Sequence, residues 1–253
     1  MAASPTSSRK VLERVDTPFN KVRVIARGRT RHLEVSGATY ATYHPTRRFF
    51  GYSWDALASA VLHHPLAVDE GRYLRVLLIG MGGATVLHAL RVLVPRAHVE
   101  AVDIDGALVD ITRRHFALAD ARTVVHVGDG YAFVDAHPAA YDVILDDAFL
   151  AHGDAARTQE VTVDFLVRLS RGLREGGLLA CNVFTDVENA AARHRAYRAF
   201  RSSFPVTFEL LPPKGENAII CGTRQRRSAD DVDAHLRGLP PGARAAMMRV
   251  RVA

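Results

Sequence analysis

Residues 76–85 decide the fold of this chain and read Val-Leu-Leu-Ile-Gly-Met-Gly-Gly-Ala-Thr. Four aliphatic residues that stop at a glycine predict a buried parallel strand, and the glycines predict a strand-to-helix turn whose backbone can approach a ligand closely. The next apolar run, residues 98–103, ends in Asp103. This carboxylate follows the turn by roughly 20 residues, where such folds hydrogen-bond the hydroxyls of a ribose. Together the two features predict a nucleoside-binding site.

The glycine turn has other interpretations. Gly80, Gly82 and Gly83 would also let a helix pack closely on a strand without any ligand, although Asp103 at its expected place weighs against packing alone. The dinucleotide pattern G-x-G-x-x-G is not met, because Thr85 occupies the last position. The turn therefore favours an S-adenosyl cofactor over NAD.

From residue 74 onward, apolar runs typical of strands alternate with helical patterns, which predicts a parallel sheet with helices on both faces. The predicted strands cover residues 75–80, 98–103, 123–127, 141–146, 177–184, 205–211 and 217–222. The predicted helices cover residues 84–94, 106–117, 130–136, 159–174 and 188–203. The last two strands are too close in sequence for a crossover helix, so they form an antiparallel hairpin. The predicted fold is α/β, a Rossmann-like seven-strand sheet with a C-terminal antiparallel hairpin, as in class I methyltransferase-type folds.

The segments that flank this sheet have a different pattern. Residues 1–9 are small and polar and predict a disordered tail. Residues 10–53 predict a small N-terminal β segment, in which a glycine-containing hairpin connection joins two short strands. Residues 54–222 form the predicted nucleoside-binding catalytic domain, whose first helical pattern starts at Trp54. Residues 223–253 form a C-terminal tail whose role the sequence does not indicate.

Composition limits the possible locations and partners. The chain has 253 residues, of which 48% are hydrophobic, and its two cysteines lie in separate apolar runs, which is typical of a reduced, globular protein. We expect a cytoplasmic protein without a membrane segment. Residues 1–50 hold ten Lys and Arg but three acidic residues. This excess indicates either a solvated arginine-rich hairpin or an anionic partner, and the absence of an aromatic-interleaved basic motif favours the hairpin over nucleic-acid binding.

Asp129 follows the third strand of the predicted sheet, between Gly128 and Gly130. Its carboxylate can accept a hydrogen bond from an adenine amino group, while the two glycines leave room for the ring. Asp is also a good helix N-cap for the segment that starts at Tyr131. One side chain can serve both purposes, so both interpretations stay open.

Asp146 and Asp147 close the fourth strand. Two adjacent acids at the end of a buried strand are costly unless a partner uses them, because a desolvated carboxylate needs compensation. Side chains alternate along a strand, so only one of the two can point into the cleft. The alternative is one cap and one surface acid. The polar residues that follow have no metal-ligand spacing, and no metal is expected.

These motifs, in this order and spacing, resemble the spermidine synthase-like (polyamine aminopropyltransferase) family over about residues 11–222. The resemblance implies that Asp103 binds ribose, Asp129 holds the adenine end, and Asp147 is the acid beside the reacting amine, with Asp146 as a second catalytic candidate. It also implies decarboxylated S-adenosylmethionine or S-adenosylmethionine as co-substrate, a small-molecule amine as acceptor, and a homodimer. The candidate cofactor-binding residues are Gly80, Gly82, Gly83, Asp103, Asp129 and Gly130.

The chain departs from the family pattern at the residues that would hold the amine groups. Gly83 stands where the family has the Asp that contacts the aminopropyl donor, and Ala148 and Phe149 replace the polar residues that follow the catalytic Asp. We therefore expect aminopropyl or related group transfer to an amine, and keep two alternatives. One is an S-adenosylmethionine-dependent methyltransferase that acts on a small molecule, and the other is a non-catalytic ligand-binding homologue.

Overall fold

The computed structural model describes residues 9–35, 37–68, 72–152, 155–158, 160–184 and 190–253. The predicted disordered tail lies outside these ranges, apart from Arg9, which begins the first strand. The strands are β1 (Arg9–Asp16), β2 (Lys21–Arg27), β3 (Thr30–Val35), β4 (Ala38–Tyr43), β5 (Arg75–Ile79), β6 (His98–Asp103), β7 (Val124–Val127), β8 (Tyr141–Asp146), β9 (Phe149–His152), β10 (Ala155–Thr158), β11 (Leu173–Phe184), β12 (Val206–Leu211), β13 (Asn217–Thr223) and β14 (Arg251–Val252). The α-helices are α1 (Ser53–Ser59), α2 (Thr85–Leu93), α3 (Gly106–His115), α4 (Gly130–Ala136), α5 (Val163–Ser170), α6 (Ala190–Ser203), α7 (Ala229–Gly238) and α8 (Pro241–Met247). None of the helices in these ranges is long and apolar enough to cross a membrane.

The central sheet has the predicted parallel core and C-terminal hairpin. Its strand order is β14-β12-β13-β11-β8-β5-β6-β7, and β11, β8, β5, β6 and β7 run parallel. β13 pairs antiparallel with both β11 and β12. The prediction of seven strands is one short, because β14 adds a two-residue edge pairing to β12. Two residues are too few to show the alternation that reveals a strand in a sequence.

A separate antiparallel sheet, β1-β2-β3-β4, forms the predicted N-terminal β segment. The paired residues Arg27 and Thr30 leave a two-residue hairpin loop, in which Gly28 has a φ of +58°. Such a loop needs a residue that tolerates positive φ. The apolar face of this sheet packs on one face of α3, and the cluster comprises Val22, Val24, Leu33, Val35, Ala41, Leu108, Ile111 and Phe116. This contact places the N-terminal sheet over the carboxyl ends of β5 and β6.

Asp105 fastens the N-terminal sheet to the central one. Its Oδ1 accepts from the backbone N–H of Leu108 and caps α3. Its Oδ2 accepts from the Thr17 hydroxyl at 2.5 Å and from the Asn20 side-chain amide at 3.2 Å, both in the loop between β1 and β2. A side chain with 1% exposure thus connects α3, which follows β6 of the central sheet, to the loop between β1 and β2.

Two predicted helices differ from the observed ones. The pattern that starts at Trp54 gives α1 and then two short 3₁₀ helices, Ala60–His63 and Pro65–Val68. The helix predicted over residues 159–174 is only α5, because the Thr162 hydroxyl accepts from the N–H of Phe165 and caps the helix there. At the other end, β11 already begins at Leu173. The apolar residues on either side of α5 belong to other elements, so the periodicity overestimated its length.

The C-terminal tail completes the core. Val232 and Leu236 of α7 and Met247 of α8 join the main hydrophobic cluster with α1 and α2. Arg227 donates from its side chain to the carbonyl of Leu62, which ties the start of the tail to the segment after α1. The role that the sequence did not indicate is therefore to cover one face of the central sheet and to extend its edge.

Candidate active site

A cavity of about 670 Å³ lies between the N-terminal sheet and the carboxyl edge of the central sheet. The sheet order spreads the polar lining residues along this edge. Asp129 follows β7, Asp103 ends β6, Gly80 follows β5 and Asp147 follows β8. Asn182 of β11 and Asn217, the first residue of β13, continue the row beyond Asp147. Open α/β sheets bind ligands at this edge.

We divide the cavity into two halves on either side of Asp147. The turn half lies at the ends of β5, β6 and β7 and comprises Gly80, Met81, Gly82, Asp103, Ile104, Leu108, Asp129, Gly130 and Tyr131. The aromatic half lies towards β11 and β13 and comprises Tyr40, Trp54, Phe149, Asn182, Phe184 and Asn217. The strands are about 4.8 Å apart, so the four steps from β7 to β11 span roughly 19 Å. That length accommodates a nucleoside and a second molecule side by side.

The three glycines of the turn have different surroundings. A Cβ on Gly80 would lie 2.6 Å from the carbonyl oxygen of Asp147, so this glycine lets the segment after β8 pass directly over the turn. Gly82 has a φ of +46°, and a Cβ there would make only an ordinary contact, 3.9 Å from the carbonyl oxygen of Tyr40. Gly83 is not among the residues that line the cavity, and a Cβ there would lie 2.6 Å from that of Ala41. The position that carries Asp in the family thus faces the N-terminal sheet in this chain.

Asp103 organises the turn half. Its Oδ2 accepts from the backbone N–H groups of Met81 at 3.0 Å and Gly82 at 3.1 Å, and its Oδ1 accepts from that of Asp105 at 3.0 Å. Burial raises the pKa of Asp103, while these three hydrogen bonds oppose the rise. The carboxylate that the sequence analysis assigned to a ribose therefore also holds the glycine turn in place.

Asp129 and Gly130 lie at the far end of the turn half. The Oδ1 of Asp129 accepts from the N–H groups of Tyr131 and Ala132 at 2.8 and 3.2 Å and caps α4, which is one of its two expected roles. The same carboxylate is exposed and lines the cavity. A Cβ on Gly130 would lie 2.3 Å from a methyl of Ile79, so Gly130 is needed for α4 to pack on β5.

Asp147 lies between the two halves and is partly exposed to the cavity. Its Oδ1 accepts from the side-chain amide of Asn182 at 2.7 Å, and the Oδ1 of Asn182 accepts from the amide of Asn217 at 3.0 Å. Because Asn217 donates to Asn182, the amide of Asn182 must present its N–H₂ to Asp147. Burial raises the pKa of Asp147 to about 7, against the Asn182 hydrogen bond, and the charges of Asp146 and Asp103 add to the rise. A carboxyl group that titrates near neutrality can accept a proton at physiological pH.

Asp146 lies outside the cavity lining and is 7% exposed. The Tyr131 hydroxyl donates to its Oδ1 at 3.4 Å. Burial raises the pKa of Asp146 to about 7, while hydrogen bonds from Ala148 and Tyr131 oppose the rise. The two adjacent acids thus have different surroundings, and only Asp147 contacts the cavity.

Most residues of the aromatic half were not predicted from the sequence. Asn182 and Asn217 have a detectable signal, because Asn is unfavourable inside a strand and each lies at the same sheet edge as Asp147. Tyr40, Trp54, Phe149 and Phe184 come from four separate elements, and their apolar character resembles ordinary core residues. Among the described residues, no group of three or more His, Cys, Asp or Glu is placed to hold a metal ion.

A Rossmann-like sheet with a glycine turn, a buried acid at the end of the second parallel strand and a cavity at its carboxyl edge defines a protein with the methyltransferase-type fold. Residues 55–219 match the model of the spermine/spermidine synthase domain, and the chain belongs to this family. The resemblance noted from the sequence motifs is therefore confirmed.

Curated relatives carry related names. The polyamine aminopropyltransferase of Vibrio vulnificus is 30% identical over 150 residues, which cover 58% of this chain and 49% of that protein. Polyamine aminopropyltransferase 2 of Pseudomonas aeruginosa is 32% identical over 197 residues, which cover 72% and 56%. The chain thus spans about half the length of these relatives.

Solved structures share the fold. A probable spermidine synthase from Corynebacterium glutamicum matches with a TM-score of 0.71 at 18% identity, covering 95% of this chain and 89% of that one. A spermidine synthase in complex with the transition-state analogue AdoDATO also matches with a TM-score of 0.71, at 16% identity, covering 94% and 83%. Human methyltransferase-like protein 13, in complex with SAH, matches with a TM-score of 0.59 at 19% identity, covering 75% and 90%.

Proposed function

We propose that the protein transfers an aminopropyl group from decarboxylated S-adenosylmethionine to an amine, with Asp147 as the acid beside the reacting nitrogen. The observation that carries the proposal is the position of Asp147 at the junction of the two halves, with a pKa of about 7. Family membership supports the same reaction class. The activity of the named relatives is extended to this chain as part of the proposal.

The donor would occupy the turn half. The Oδ1 of Asp103 accepts one backbone N–H and has a further lone pair for a ribose hydroxyl. Asp129 has its exposed carboxylate at the far end, where it would accept from the adenine amino group. Gly80 and Gly82, which have no side chains, leave the turn open for the sugar and the sulfonium. This orientation directs the aminopropyl carbon towards Asp147.

The chemistry then needs one proton acceptor and good alignment. An acceptor amine enters as its ammonium form and gives one proton to Asp147, which passes it to water. The neutral nitrogen attacks the carbon beside the sulfonium, the new C–N bond forms, and the C–S bond breaks with its electron pair going to sulfur. The products are a secondary ammonium and the neutral thioether methylthioadenosine. A sulfonium is its own leaving group, so positioning contributes most of the remaining rate enhancement.

The decisive experiment compares donors. Purified protein is incubated with an amine panel and either decarboxylated S-adenosylmethionine or S-adenosylmethionine, and the released nucleoside is identified by chromatography. Aminopropyl transfer releases methylthioadenosine from the decarboxylated donor. If neither donor is consumed although calorimetry shows that methylthioadenosine binds, the proposed reaction is wrong and the protein is a ligand-binding homologue.

Methyl transfer to a small molecule is the second candidate, and one observation favours it. Gly83 stands where the family has an Asp, so the turn lacks a negative charge that would repel the carboxylate of S-adenosylmethionine, although Gly83 itself faces Ala41 and does not line the cavity. Release of S-adenosylhomocysteine from the intact donor would establish this alternative in the same assay.

A homodimer is part of the proposal on the strength of family resemblance. Light scattering of the purified chain checks the prediction, and a monomer mass at micromolar concentration would contradict it.

A further inference from the structure

We infer that Gly83 and Thr85 form the attachment point that holds β4 over the glycine turn, and that Thr85 is thereby a positioning residue for one wall of the cavity. This wall consists of the β4 residues Ala38, Thr39, Tyr40 and Ala41. Because β4 lies opposite the turn, its position sets the width of the cavity. Of the tests, only the kinetic one rests on the proposed function.

The Thr85 hydroxyl bonds both backbone groups of Thr42. Its Oγ1 accepts from the Thr42 N–H at 2.9 Å and donates to the Thr42 carbonyl at 3.0 Å. β4 is an edge strand, so in the part of the chain that the structure describes one side of its backbone has no strand partner. Thr85, the first residue of α2, fills this place and is 2% exposed. Loss of the hydroxyl would leave two buried backbone groups unpaired.

Gly83 allows β4 to come this close to the turn. A Cβ on Gly83 would lie 2.6 Å from the Cβ of Ala41 and 3.3 Å from the ring of Phe116, which follows α3. Ala41 and Phe116 are buried in the cluster between the N-terminal sheet and α3, so neither can move aside without opening that cluster. A side chain at position 83 would therefore push β4 away and stretch the hydrogen bonds of Thr85.

The turn itself is held by other contacts. The Thr112 hydroxyl of α3 donates to the carbonyl of Gly82 at 2.8 Å, and Asp103 accepts from the N–H groups of Met81 and Gly82. The turn is thus fixed by α3 and β6 without help from β4. Loss of the Thr85 hydroxyl should therefore release β4 and leave the turn in place.

The position of β4 affects the aromatic half through Tyr40. This residue precedes Ala41 and lines the cavity, and its ring meets that of Phe149 edge to face with centroids 6.2 Å apart. A shift of β4 moves Tyr40 while the contacts of Asp103 with the turn remain. The Thr85 hydrogen bonds should therefore act on the half that we propose for the acceptor, and much less on the turn half.

The first test measures amide hydrogen exchange of Thr42 by NMR in two variants. Thr85→Val retains the shape but not the hydroxyl, so the Thr42 amide should exchange about tenfold faster or more. Thr85→Ser retains the hydroxyl and should exchange at close to the parental rate. Thr112→Val is the matched control, because it removes a buried hydroxyl that bonds the turn and not β4. An unchanged Thr42 rate in Thr85→Val, or an equal rise in Thr85→Val and Thr112→Val, overturns the inference.

The second test exchanges the sizes of two residues and stays decisive if the Thr85→Val protein does not fold. Gly83→Ala should speed Thr42 exchange, because the new Cβ meets that of Ala41. Ala41→Gly in the same protein removes the atom that is met, so the double variant should recover most of the protection. Such non-additivity is expected for residues in direct contact. If the effects of the two single variants simply add, position 83 does not set the position of β4.

Gly83→Asp tests whether position 83 faces the cavity. Calorimetry compares the binding of decarboxylated S-adenosylmethionine, which has an amino group, with that of methylthioadenosine, which has none. Both affinities should change by the same factor, because the new carboxylate would lie against Ala41 and outside the cavity. A selective gain for the decarboxylated donor would show that position 83 reaches the donor, and would overturn the inference.

The kinetic test uses the decarboxylated donor and the most active amine of the panel. Thr85→Val should raise the KM of the amine by about three- to tenfold with kcat nearly unchanged, and Thr85→Ser should restore the parental KM. A parental KM in the Thr85→Val protein would contradict the positioning role. If the parent protein turns over no amine, the proposed function is wrong, while amide exchange and the size exchange still decide how β4 is held.

Discussion

The two halves of the cavity are built in different ways. In the turn half, one carboxylate, that of Asp103, accepts three backbone N–H groups, so the shape of the site follows from backbone contacts within residues 81–105. In the aromatic half, side chains from four distant elements meet, and the polar contacts run between side chains. The half that we propose for the nucleoside is therefore held by backbone contacts of one side chain, whereas the half that we propose for the acceptor depends on side chains that tertiary packing brings together.

The largest effect is expected at the boundary between the halves. Asp147→Asn retains size and most hydrogen bonding but removes the charge that accepts the amine proton, so turnover should fall by about 10²–10⁴. Methylthioadenosine affinity, measured by calorimetry, should change little. Asp146→Asn is the adjacent control outside the cavity and should alter mainly stability. If the Asp147→Asn protein is as active as the parent protein, Asp147 does not accept the proton of the amine.

The next effect tests whether the turn supports the segment that carries Asp147. Gly80→Ala adds a Cβ 2.6 Å from the Asp147 carbonyl oxygen at a φ of +79°, so the free energy of unfolding should fall by about 2–4 kcal/mol. Gly82→Ala also has a positive φ, but its Cβ would come no closer than 3.9 Å to another atom, so it should cost only about 1 kcal/mol. Urea denaturation of both variants checks the difference. If both variants lose the same free energy of unfolding, the backbone around Gly80 shifts at little cost to make room for the new Cβ.

A third experiment separates donor binding from acceptor binding. Asp103→Ala leaves three backbone N–H groups without their carboxylate and removes the expected ribose contact, so methylthioadenosine should bind more weakly by about 1–3 kcal/mol. Calorimetry measures this directly, at a temperature where circular dichroism shows that the variant is folded. Unchanged affinity would place the nucleoside elsewhere.

The smallest effect concerns the amide pair in the aromatic half. The hydrogen bond from Asn182 lowers the pKa of Asp147 against the effect of burial, so Asn182→Ala should raise this pKa above about 7. Activity needs the ionised carboxylate, so the rising limb of the pH–rate profile should move to higher pH by about 0.5–1 unit. Asn217→Ala should move the limb less, because Asn217 acts through Asn182. If the rising limb of the pH–rate profile does not move, the Asn182 hydrogen bond does not control the pKa of the group that accepts the proton.

Local patterns predicted most of the fold. β6, β8 and α4 have the bounds expected from sequence, because each combines a clear period with a cap or a turn residue at its end. Two elements differ from the prediction, one through a distant contact and the other through a local cap. β14 exists because β12 offers a free edge, and α5 is short because Thr162 caps it inside an apolar run.

The same division holds for the site. Asp103 and Asp129 follow predicted strands, so their place at the sheet edge could be expected from spacing alone. Phe149 and Phe184 could not be distinguished from core residues, since their common cavity arises only when the N-terminal sheet closes over the edge. The sequence also could not predict that Gly83 faces the N-terminal sheet, because this depends on the position of Ala41 in β4.

The hydrogen bonds of Asp105 connect the attachment of the N-terminal sheet to ligand binding in the cavity. Asp103, which we propose to bind the ribose, ends β6, and Asp105 follows it after one residue and accepts hydrogen bonds from Thr17 and Asn20 in the loop between β1 and β2. Detachment of the N-terminal sheet therefore disturbs residues 103–105 and opens one wall of the cavity. By reciprocity, a nucleoside that binds these residues must hold the sheet more firmly, and amide hydrogen exchange in β1 and β2 should slow when the site is filled.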